Sequence, residues 1–287
     1  MKFNSELMLV NEQAIDTKEI KDIIISYSSD SIHLYKNNSD ELMLREYMNY
    51  MPEKDEIARI MIRDNSLIIE SGERDKKLFM LGSYKRRIEV YVPLNYENNF
   101  EVNVSSGSIK SEEAYKFSNF KASGSSGSIK LKDIYADNIN ISVNSGSVNL
   151  ENAEASNLRI KSSSGSIKVL KATGDSTFSS SSGSITVDNM EGKIDARASS
   201  GSIRVNISEL NHDISASTSS GSVNISIPES SSFEFNAETS SGSIKTYFDS
   251  KLSYGRGRKE ASAKIGDNPD VKIDLSASSG RVKLNVL

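Results

Sequence analysis

A small-residue bend, Ser-Ser-Gly-Ser or a close variant, recurs nine times along this chain. The glycines of the nine copies are Gly107, Gly127, Gly146, Gly165, Gly183, Gly201, Gly221, Gly242 and Gly280. Successive glycines are 18 to 21 residues apart, except across the last interval of 38, which is twice 19. A fixed period of this length is typical of repeat proteins, in which each copy supplies one structural unit. The bend therefore predicts stacked coils.

Apolar and polar residues alternate on both sides of each bend. The residue two positions after the glycine is Ile or Val in all nine copies, and the residue five positions before it is apolar in all nine. A period of two predicts β-strands, because successive side chains of a strand point to opposite faces. Each repeat is thus predicted to be a strand, a corner, a second strand and a looser return such as residues 132–138 or 209–213. The extra residue at the corner lets both strands keep their apolar sides inward.

These observations predict an all-β fold, a single-stranded parallel β-helix or β-solenoid with coils of about 19 residues. We favour the right-handed form. Each corner glycine is expected to have a positive φ, which residues with a Cβ atom avoid. The corner serines are expected to satisfy the polar groups of the bend.

The repeat also predicts how the chain is divided. Residues 1–99 lack the corner and are predicted to form an irregular β-rich N-terminal region that is continuous with the solenoid. Residues 100–287 are predicted to form the regular solenoid, with an insertion near 253–269 that is either a protruding loop or a local cap. The last strand, 281–287, is expected to be an exposed sheet edge guarded by Arg281 and Lys283.

Short alternating segments predict strands in the N-terminal region, and charged loops separate some of them. The predicted strands are residues 21–26, 31–35, 41–46, 58–63, 66–71 and 86–93, and the charged loops are residues 50–56 and 72–77. Pro93 is expected to end the last of these strands, because proline cannot donate to a sheet.

Composition excludes several classes of function. The hydrophobic fraction of 36% is low, but the regular alternation argues against disorder and fits a narrow core. A net charge of −4 argues against a protein built to bind nucleic acid. The chain has no cysteine and two distant histidines, His33 and His212, which we expect to be surface residues. We therefore predict no metal site and no cofactor.

The N-terminal segment bears on the location of the protein. The apolar run at the N-terminus, residues 7–10, is too short for a signal-peptide core or a membrane span. The sequence is therefore interpreted as cytoplasmic, without a membrane span, and as a monomer or a weak homo-oligomer.

Serine beside glycine suggests a nucleophile, but the pattern does not fit one. A hydrolase elbow needs Gly-x-Ser-x-Gly between a strand and a helix, whereas this motif lies between strands and is repeated. We predict no catalytic residues. The enzyme alternative is a polysaccharide lyase or hydrolase built on a β-helix, which would need converging carboxylates. The outward residues are mostly Ser, Asn, Lys and Thr.

One outward column is basic. The residues three positions after each glycine are Lys110, Lys130, Asn149, Lys168, Thr186, Arg204, Asn224, Lys245 and Lys283. Six of these nine are basic and none is acidic. The column is either a solubilising row balanced by acidic neighbours such as Asp195 and Glu238, or a cationic strip that binds an anionic polymer. A teichoic-acid-like glycan or an acidic polysaccharide would fit the strip, and another envelope protein is an alternative partner.

The Ser-x-Gly-Ser-Ile corners resemble those of the bacterial putative-adhesin family of unknown function. The irregular β-rich N-terminal third, the Ile-x-Val-x-Val-Pro strand at 88–93 and the Gly-x-Gly stretch at 255–257 add to this resemblance. It implies a β-helical fold without assigned catalytic residues. Because many family members carry an export signal or a membrane anchor, it also makes association with the cell envelope the alternative to a cytoplasmic location.

Overall fold

The computed structural model describes residues 6–73, 85–255, 257 and 259–287. The regular secondary structure of the described residues is almost entirely β-strand, with a 3₁₀ helix at Asp249–Lys251. It forms two compact units, Met1–Asp137 and Asn138–Leu287. The all-β class predicted from the alternation is confirmed. The predicted change of pattern between residues 99 and 100 stays a prediction.

The first unit contains ten strands and most of an eleventh. They are β1 (Met8–Asp16), β2 (Asp22–Tyr27), β3 (Ser31–Asn37), β4 (Glu41–Met48), β5 (Arg59–Arg63), β6 (Ser66–Glu70), β7 (Arg86–Pro93), β8 (Asn99–Val104), β9 (Ile109–Lys110), β10 (Ala114–Gly124) and β11 (Ile129–Val143). The six strands predicted in the N-terminal region correspond to β2 to β7, and Pro93 ends β7 as expected. The predicted charged loop at 72–77 lies largely outside the described residues.

The strand order of the first unit differs from its sequence order. β2 pairs in parallel with both β6 and β8, and β3 pairs in parallel with both β7 and β9. The first coil in the sequence is therefore enclosed between two later ones. β4 pairs antiparallel with β7 and β1 pairs antiparallel with β4, so this end of the unit is not purely parallel.

The enclosed first coil has a corner of its own, Ser-Ser-Asp-Ser-Ile at residues 28–32. A Cβ atom at Gly107 would lie 1.6 Å from the backbone oxygen of Asp30, so the two corners are stacked. The Asp30 carboxylate is buried 3.8 Å from the Arg86 guanidinium, which also contacts buried Glu46. Sequence analysis missed this corner because its central residue is aspartate and the next corner lies 77 residues further on.

The second unit contains the remaining strands. They are β12 (Val148–Ser162), β13 (Ile167–Ser180), β14 (Ile185–Glu191), β15 (Ile194–Ala198), β16 (Ile203–Glu209), β17 (Ile214–Thr218), β18 (Val223–Ile227), β19 (Phe233–Thr239), β20 (Ser243–Thr246), β21 (Ser253–Tyr254), β22 (Glu260–Ile265), β23 (Lys272–Ala277) and β24 (Arg281–Val286).

Corresponding strands of this unit stack in parallel and in register. Val148 pairs with Ile167, Ile167 with Ile185, and Ile185 with Ile203. These inward residues are buried, so the core is a set of apolar rows that run from strand to strand. The return predicted as loose at residues 132–138 is instead part of β11, although the alternation of buried residues changes its phase between Leu131 and Ile134.

The end of the chain corrects one prediction. β23 pairs with both β17 and β19, and β24 pairs with both β18 and β20. The predicted exposed edge at 281–287 is therefore wrong, since the last strand is paired on both sides. The contacts between corners give the same order as the strand pairing. A Cβ atom at Gly280 would lie 1.5 Å from the Gly221 oxygen, and one at Gly242 would lie 1.5 Å from the Gly280 oxygen.

The segment between β20 and β23 makes this order possible. β22 pairs antiparallel with β19, on the side of β19 opposite β23, and β21 pairs antiparallel with β22. The chain thus turns back over the outer side of β19 before β23 and β24 enter the stack. Of the predicted insertion at 253–269, Arg256 and Arg258 lie outside the described residues.

The corner glycines correct a second prediction. Positive φ occurs at Gly174, Gly192, Gly257 and Gly266 among the described glycines, none of which is a corner glycine. A Cβ atom at Gly165 would instead lie 1.8 Å from the backbone oxygen of Gly146. At glycine corners such as this one, the backbones of neighbouring coils approach too closely for a side chain, whereas the corner of the first coil holds Asp30.

Candidate anion-binding surface

In the first unit, the basic column begins with two exposed lysines. Lys130 on β11 pairs in register with Lys110 on β9, and Lys110 pairs with His33 on β3. The same row continues through Glu89 on β7 to Arg45 on β4. The N-terminal strands therefore extend the column, which the corner motif alone could not show.

His33 faces outward as predicted, but it is only partly exposed. Burial lowers the pKa of its imidazole, and the charges of Lys110 and Arg87 lower it further. The neutral ring therefore adds no charge to the row near pH 7. His212 is exposed, as predicted, in the loop before β17.

In the second unit, the column follows the spatial order of the strands. That order is Asn149, Lys168, Thr186, Arg204, Asn224, Lys283 and Lys245. Lys283 lies between Asn224 and Lys245, although it is the last of them in sequence. The insertion of β24 is thus what brings Lys283 within two strands of Arg204.

A groove of about 370 Å³ lies along this row. Its cationic lining residues are Arg204, Arg281 and Lys283, and the other polar lining residues are the amide side chain of Asn224 and hydroxyl side chains. None of the described residues that line it carries a carboxylate. Arg281, which sequence analysis treated only as an edge charge, belongs to this groove because its strand is inserted.

Of the two acidic residues expected to balance the column, Asp195 is paired with an arginine and Glu238 faces another glutamate. Asp195 accepts hydrogen bonds from the Arg197 guanidinium at 2.7 and 2.9 Å. Glu238 lies opposite Glu260 across the β19–β22 pair. In the described part of the chain, none of the six basic residues of the column takes part in an ion pair.

The chemistry of the groove suits anionic oxygen atoms. Arginine guanidinium groups donate paired hydrogen bonds to carboxylate and phosphate groups, and lysine adds a point charge. Each exposed contact is weak and is screened by salt. A polymer that makes several such contacts at once gains affinity by effective concentration.

A larger groove, of about 530 Å³, lies on a different face of the second unit. It is lined by Glu238, Glu260, Asp274 and Tyr254, together with serines and Asn236. Sequence analysis found no such meeting of carboxylates because it arises from the fold-back of β22 onto β19. Glu238 and Glu260 are exposed.

Two further observations concern the described residues as a whole. They contain no group of three or more His, Cys, Asp or Glu side chains arranged to hold a metal ion. Their helical part has no segment with the length and hydropathy of a membrane span.

The stacked parallel strands and repeated glycine corners define a β-solenoid-like repeat protein with a basic outward row. The chain belongs to the Toastrack DUF4097 family, whose model matches residues 20–285. Among curated proteins, no relative of this sequence was found.

Solved bacterial structures resemble this chain, and two of them share its fold with a TM-score above 0.5. A putative lipid binding protein from Parabacteroides distasonis is 15% identical, with a TM-score of 0.52 over 99% of this chain and 98% of that one. A putative adhesin from Parabacteroides merdae is 12% identical, with a TM-score of 0.52 over 99% and 98% of the two chains. A putative adhesin from Bacteroides fragilis is 14% identical, with a TM-score of 0.49 over 99% of each chain. At these identities the likeness concerns the fold alone.

Proposed function

We propose that this protein is a non-catalytic, adhesin-like binding module that holds an anionic glycan along the basic row. The observation that carries the proposal is the groove in which Arg204, Arg281 and Lys283 meet without a carboxylate among the described lining residues. Lys168 and Lys245 add two further cationic side chains to the same row. In the first unit, Lys110 and Lys130 form a separate pair of cations.

The partner proposed is an acidic polysaccharide or a teichoic-acid-like polymer of the cell envelope. The names of two structural neighbours, one a putative adhesin and the other a putative lipid binding protein, support a binding role. Binding of envelope polymers would require the protein to be located at the cell envelope. The cytoplasmic location interpreted from the sequence stays a prediction. We also propose that the module acts as a monomer or a weak homo-oligomer.

The finer description of the fold belongs to this proposal. We propose a right-handed coil of about 19 residues. The pairings of Val148 with Ile167 and of Ile185 with Ile203, at spacings of 19 and 18 residues, support this period.

A polysaccharide-active enzyme is the second candidate. The observation that favours it is the groove lined by Glu238 and Glu260, because glycoside hydrolysis uses two carboxyl groups that flank the scissile bond. Release of reducing ends from an acidic polysaccharide, lost in Glu238→Gln, would support the enzyme and contradict the non-catalytic proposal.

The proposal is tested by removing the charges of the groove. We expect the wild-type protein to bind polygalacturonate or a poly(glycerol phosphate) polymer with an affinity that falls as salt rises. The triple variant Arg204→Gln/Arg281→Gln/Lys283→Gln removes three contacts of about 0.5 kcal/mol each, which amounts to about tenfold in affinity. Binding is measured by calorimetry at several salt concentrations.

The matched control is Arg159→Gln/Lys161→Gln/Lys193→Gln, which removes three exposed charges from the same unit outside the groove. We expect it to weaken binding much less than the groove variant. An equal loss in both variants would show a response to net charge alone, and polymer binding that ignores salt would contradict the proposal.

A further inference from the structure

The outward face of β3, β7 and β4 in the first unit carries an aromatic cluster. Tyr35 lies opposite Tyr91 on neighbouring strands, with ring centroids 5.1 Å apart and an interplanar angle of 27°. His33 stacks against Tyr35 at 6.4 Å, and Tyr47 lies further along the same face, on β4 opposite Arg87. All four rings are partly exposed. We call Tyr35, Tyr91, Tyr47 and His33 the aromatic platform.

The platform is not needed to form the core of these strands. The opposite sides of β3 and β7 supply that core through Ile32, Leu34 and Val90, which are at most 2% exposed. Tyrosine presents an apolar ring together with a polar hydroxyl and is enriched at binding interfaces for that reason, so an outward cluster of tyrosines is a candidate contact surface.

Charged neighbours hold the platform in place. The Tyr91 hydroxyl donates a hydrogen bond to Glu89 at 3.0 Å, and Arg87 forms an ion pair with Glu89 at 3.0 Å. The guanidinium of Arg45 lies 5.0 Å from the Tyr91 ring centroid, and that of Arg87 lies 4.7 Å from the Tyr47 ring centroid. The rings are thus fixed before any ligand arrives, which lowers the entropy lost on binding.

The cations of the basic column adjoin the platform. Lys110 pairs with His33 in register, and Lys130 pairs with Lys110, so the two lysines continue the row at steps of about 4.8 Å. Arg45 and Arg87 are paired with Glu12 and Glu89. In the described part of the chain, Lys110 and Lys130 form no ion pair, so their charges are available to a ligand.

We propose that this face binds the pyranose rings of an acidic polysaccharide. The apolar C–H surface of a sugar ring packs against the exposed edges of the Tyr35 and Tyr91 rings, and carboxylates of neighbouring sugar units reach Lys110 and Lys130. The inference rests on the proposed function for its ligand class, and it adds a second site and a requirement for sugar rings. A flexible polyanion without rings would gain nothing from the aromatic surface.

The test compares a ringed and a ringless polyanion on the full chain. The probes are oligogalacturonate, which has rings and carboxylates, and poly-γ-glutamate, which has carboxylates without rings. When the groove is disabled by Arg204→Gln/Arg281→Gln/Lys283→Gln, we expect Tyr35→Ala to lower the affinity for oligogalacturonate about tenfold and to leave that for poly-γ-glutamate within about twofold. Tyr35→Phe, which keeps the ring, should bind oligogalacturonate like the wild type.

The matched control is Tyr247→Ala, which removes a tyrosine that is 59% exposed in the second unit. It should change neither affinity. Wild-type binding of oligogalacturonate by Tyr35→Ala, or an equal loss for both probes, would overturn the inference. Thermal melting of Tyr35→Ala and Tyr35→Phe separates loss of the site from loss of the fold.

The two proposals fail separately. If the groove variant in the second unit loses binding and Tyr35→Ala does not, the basic groove stands and the aromatic platform is overturned. If Tyr35→Ala loses binding of oligogalacturonate and the groove variant does not, the platform stands and the groove is overturned.

Discussion

Each stacked corner of the second unit places a glycine against the backbone oxygen of the glycine in the neighbouring coil. A Cβ atom would lie 1.9 Å from that oxygen at Gly183 and 2.0 Å from it at Gly201. These distances are far inside van der Waals contact, and the neighbour is backbone, which cannot rotate away. The corner sets how closely the coils stack, so a single methyl group there must push two coils apart.

Gly165→Ala should therefore lower the free energy of unfolding by about 1–3 kcal/mol, the usual cost of overpacking. Its added methyl group would lie 1.8 Å from the Gly146 oxygen. The measurement is urea unfolding followed by circular dichroism. Ser164→Ala is the matched control, because Ser164 is exposed in the same corner and should change stability little. Equal stability of the two variants would contradict the close-approach explanation.

Buried tyrosines give the first unit a sensitivity to alkali. The Tyr96 hydroxyl lies 2.8 Å from the Asn99 backbone oxygen and 3.1 Å from that of Lys21. Burial raises the pKa of Tyr96 well above its usual value, and the nearby charge of Asp22 raises it further. The unfolded chain loses this proton near pH 10, whereas the folded protein keeps it. The contribution of Tyr96 to the free energy of unfolding is therefore fully present below about pH 10, and it is lost as the pH rises towards the pKa of the folded state.

Tyr96→Phe should lose about 1 kcal/mol of stability at pH 7, because it removes a buried hydrogen bond. Above pH 10 its stability should decline less steeply than that of the wild type, by up to about 1.4 kcal/mol per pH unit. Urea unfolding between pH 7 and pH 11.5 measures both effects. Parallel curves for the two proteins above pH 10 would show that Tyr96 does not contribute to the alkaline loss.

At the scale of strands, both units enclose a coil between neighbours that are not adjacent to it in sequence. In the first unit, β2 lies between β6 and β8. In the second, β24 lies between β18 and β20. The backbone groups of β24 are thus paired on both sides, and antiparallel β22 covers the outer side of β19. Paired strands are protected from edge-to-edge aggregation.

The existence of the strands could be predicted from sequence, but their order could not. The alternation of period two identifies β2 to β7 and the strands beside each corner. The inward residues of β18 are apolar, as are Ile244 of β20 and Val282 of β24, so these positions do not decide which strand follows β18. One clue was available, because Thr246 is a polar residue at an inward position and fits a coil at the end of a stack.

At the scale of the whole molecule, a chain with a net charge of −4 has a local row of positive charge. The row could be predicted because each of its residues stands three positions after a corner glycine. The groove of Arg204, Arg281 and Lys283 could not, since it depends on the inserted strand. The aromatic platform could not either, because β3, β7 and β4 lack the glycine corner that would have aligned them.

The insertion of β24 is the central claim, because it both protects the end of the chain and completes the basic groove. The chain has no cysteine, so introduced pairs report on it without interference. Neighbouring strands lie about 4.8 Å apart, within the Cα separation of about 4.4–6.8 Å that a disulfide spans, whereas strands separated by one other lie too far apart. Asn224 and Lys283 are direct partners, as are Lys245 and Lys283.

The measurement is disulfide formation under mild oxidation in three double variants of the full chain. Asn224→Cys/Lys283→Cys and Lys245→Cys/Lys283→Cys should each form an intramolecular disulfide, detected by mass spectrometry after digestion. Asn224→Cys/Lys245→Cys should not, because β24 separates the two positions. Rapid cross-linking of Asn224→Cys/Lys245→Cys, with no cross-linking to position 283, would mean that the coils stack in sequence order. That result would contradict the strand order described above and the groove that depends on it.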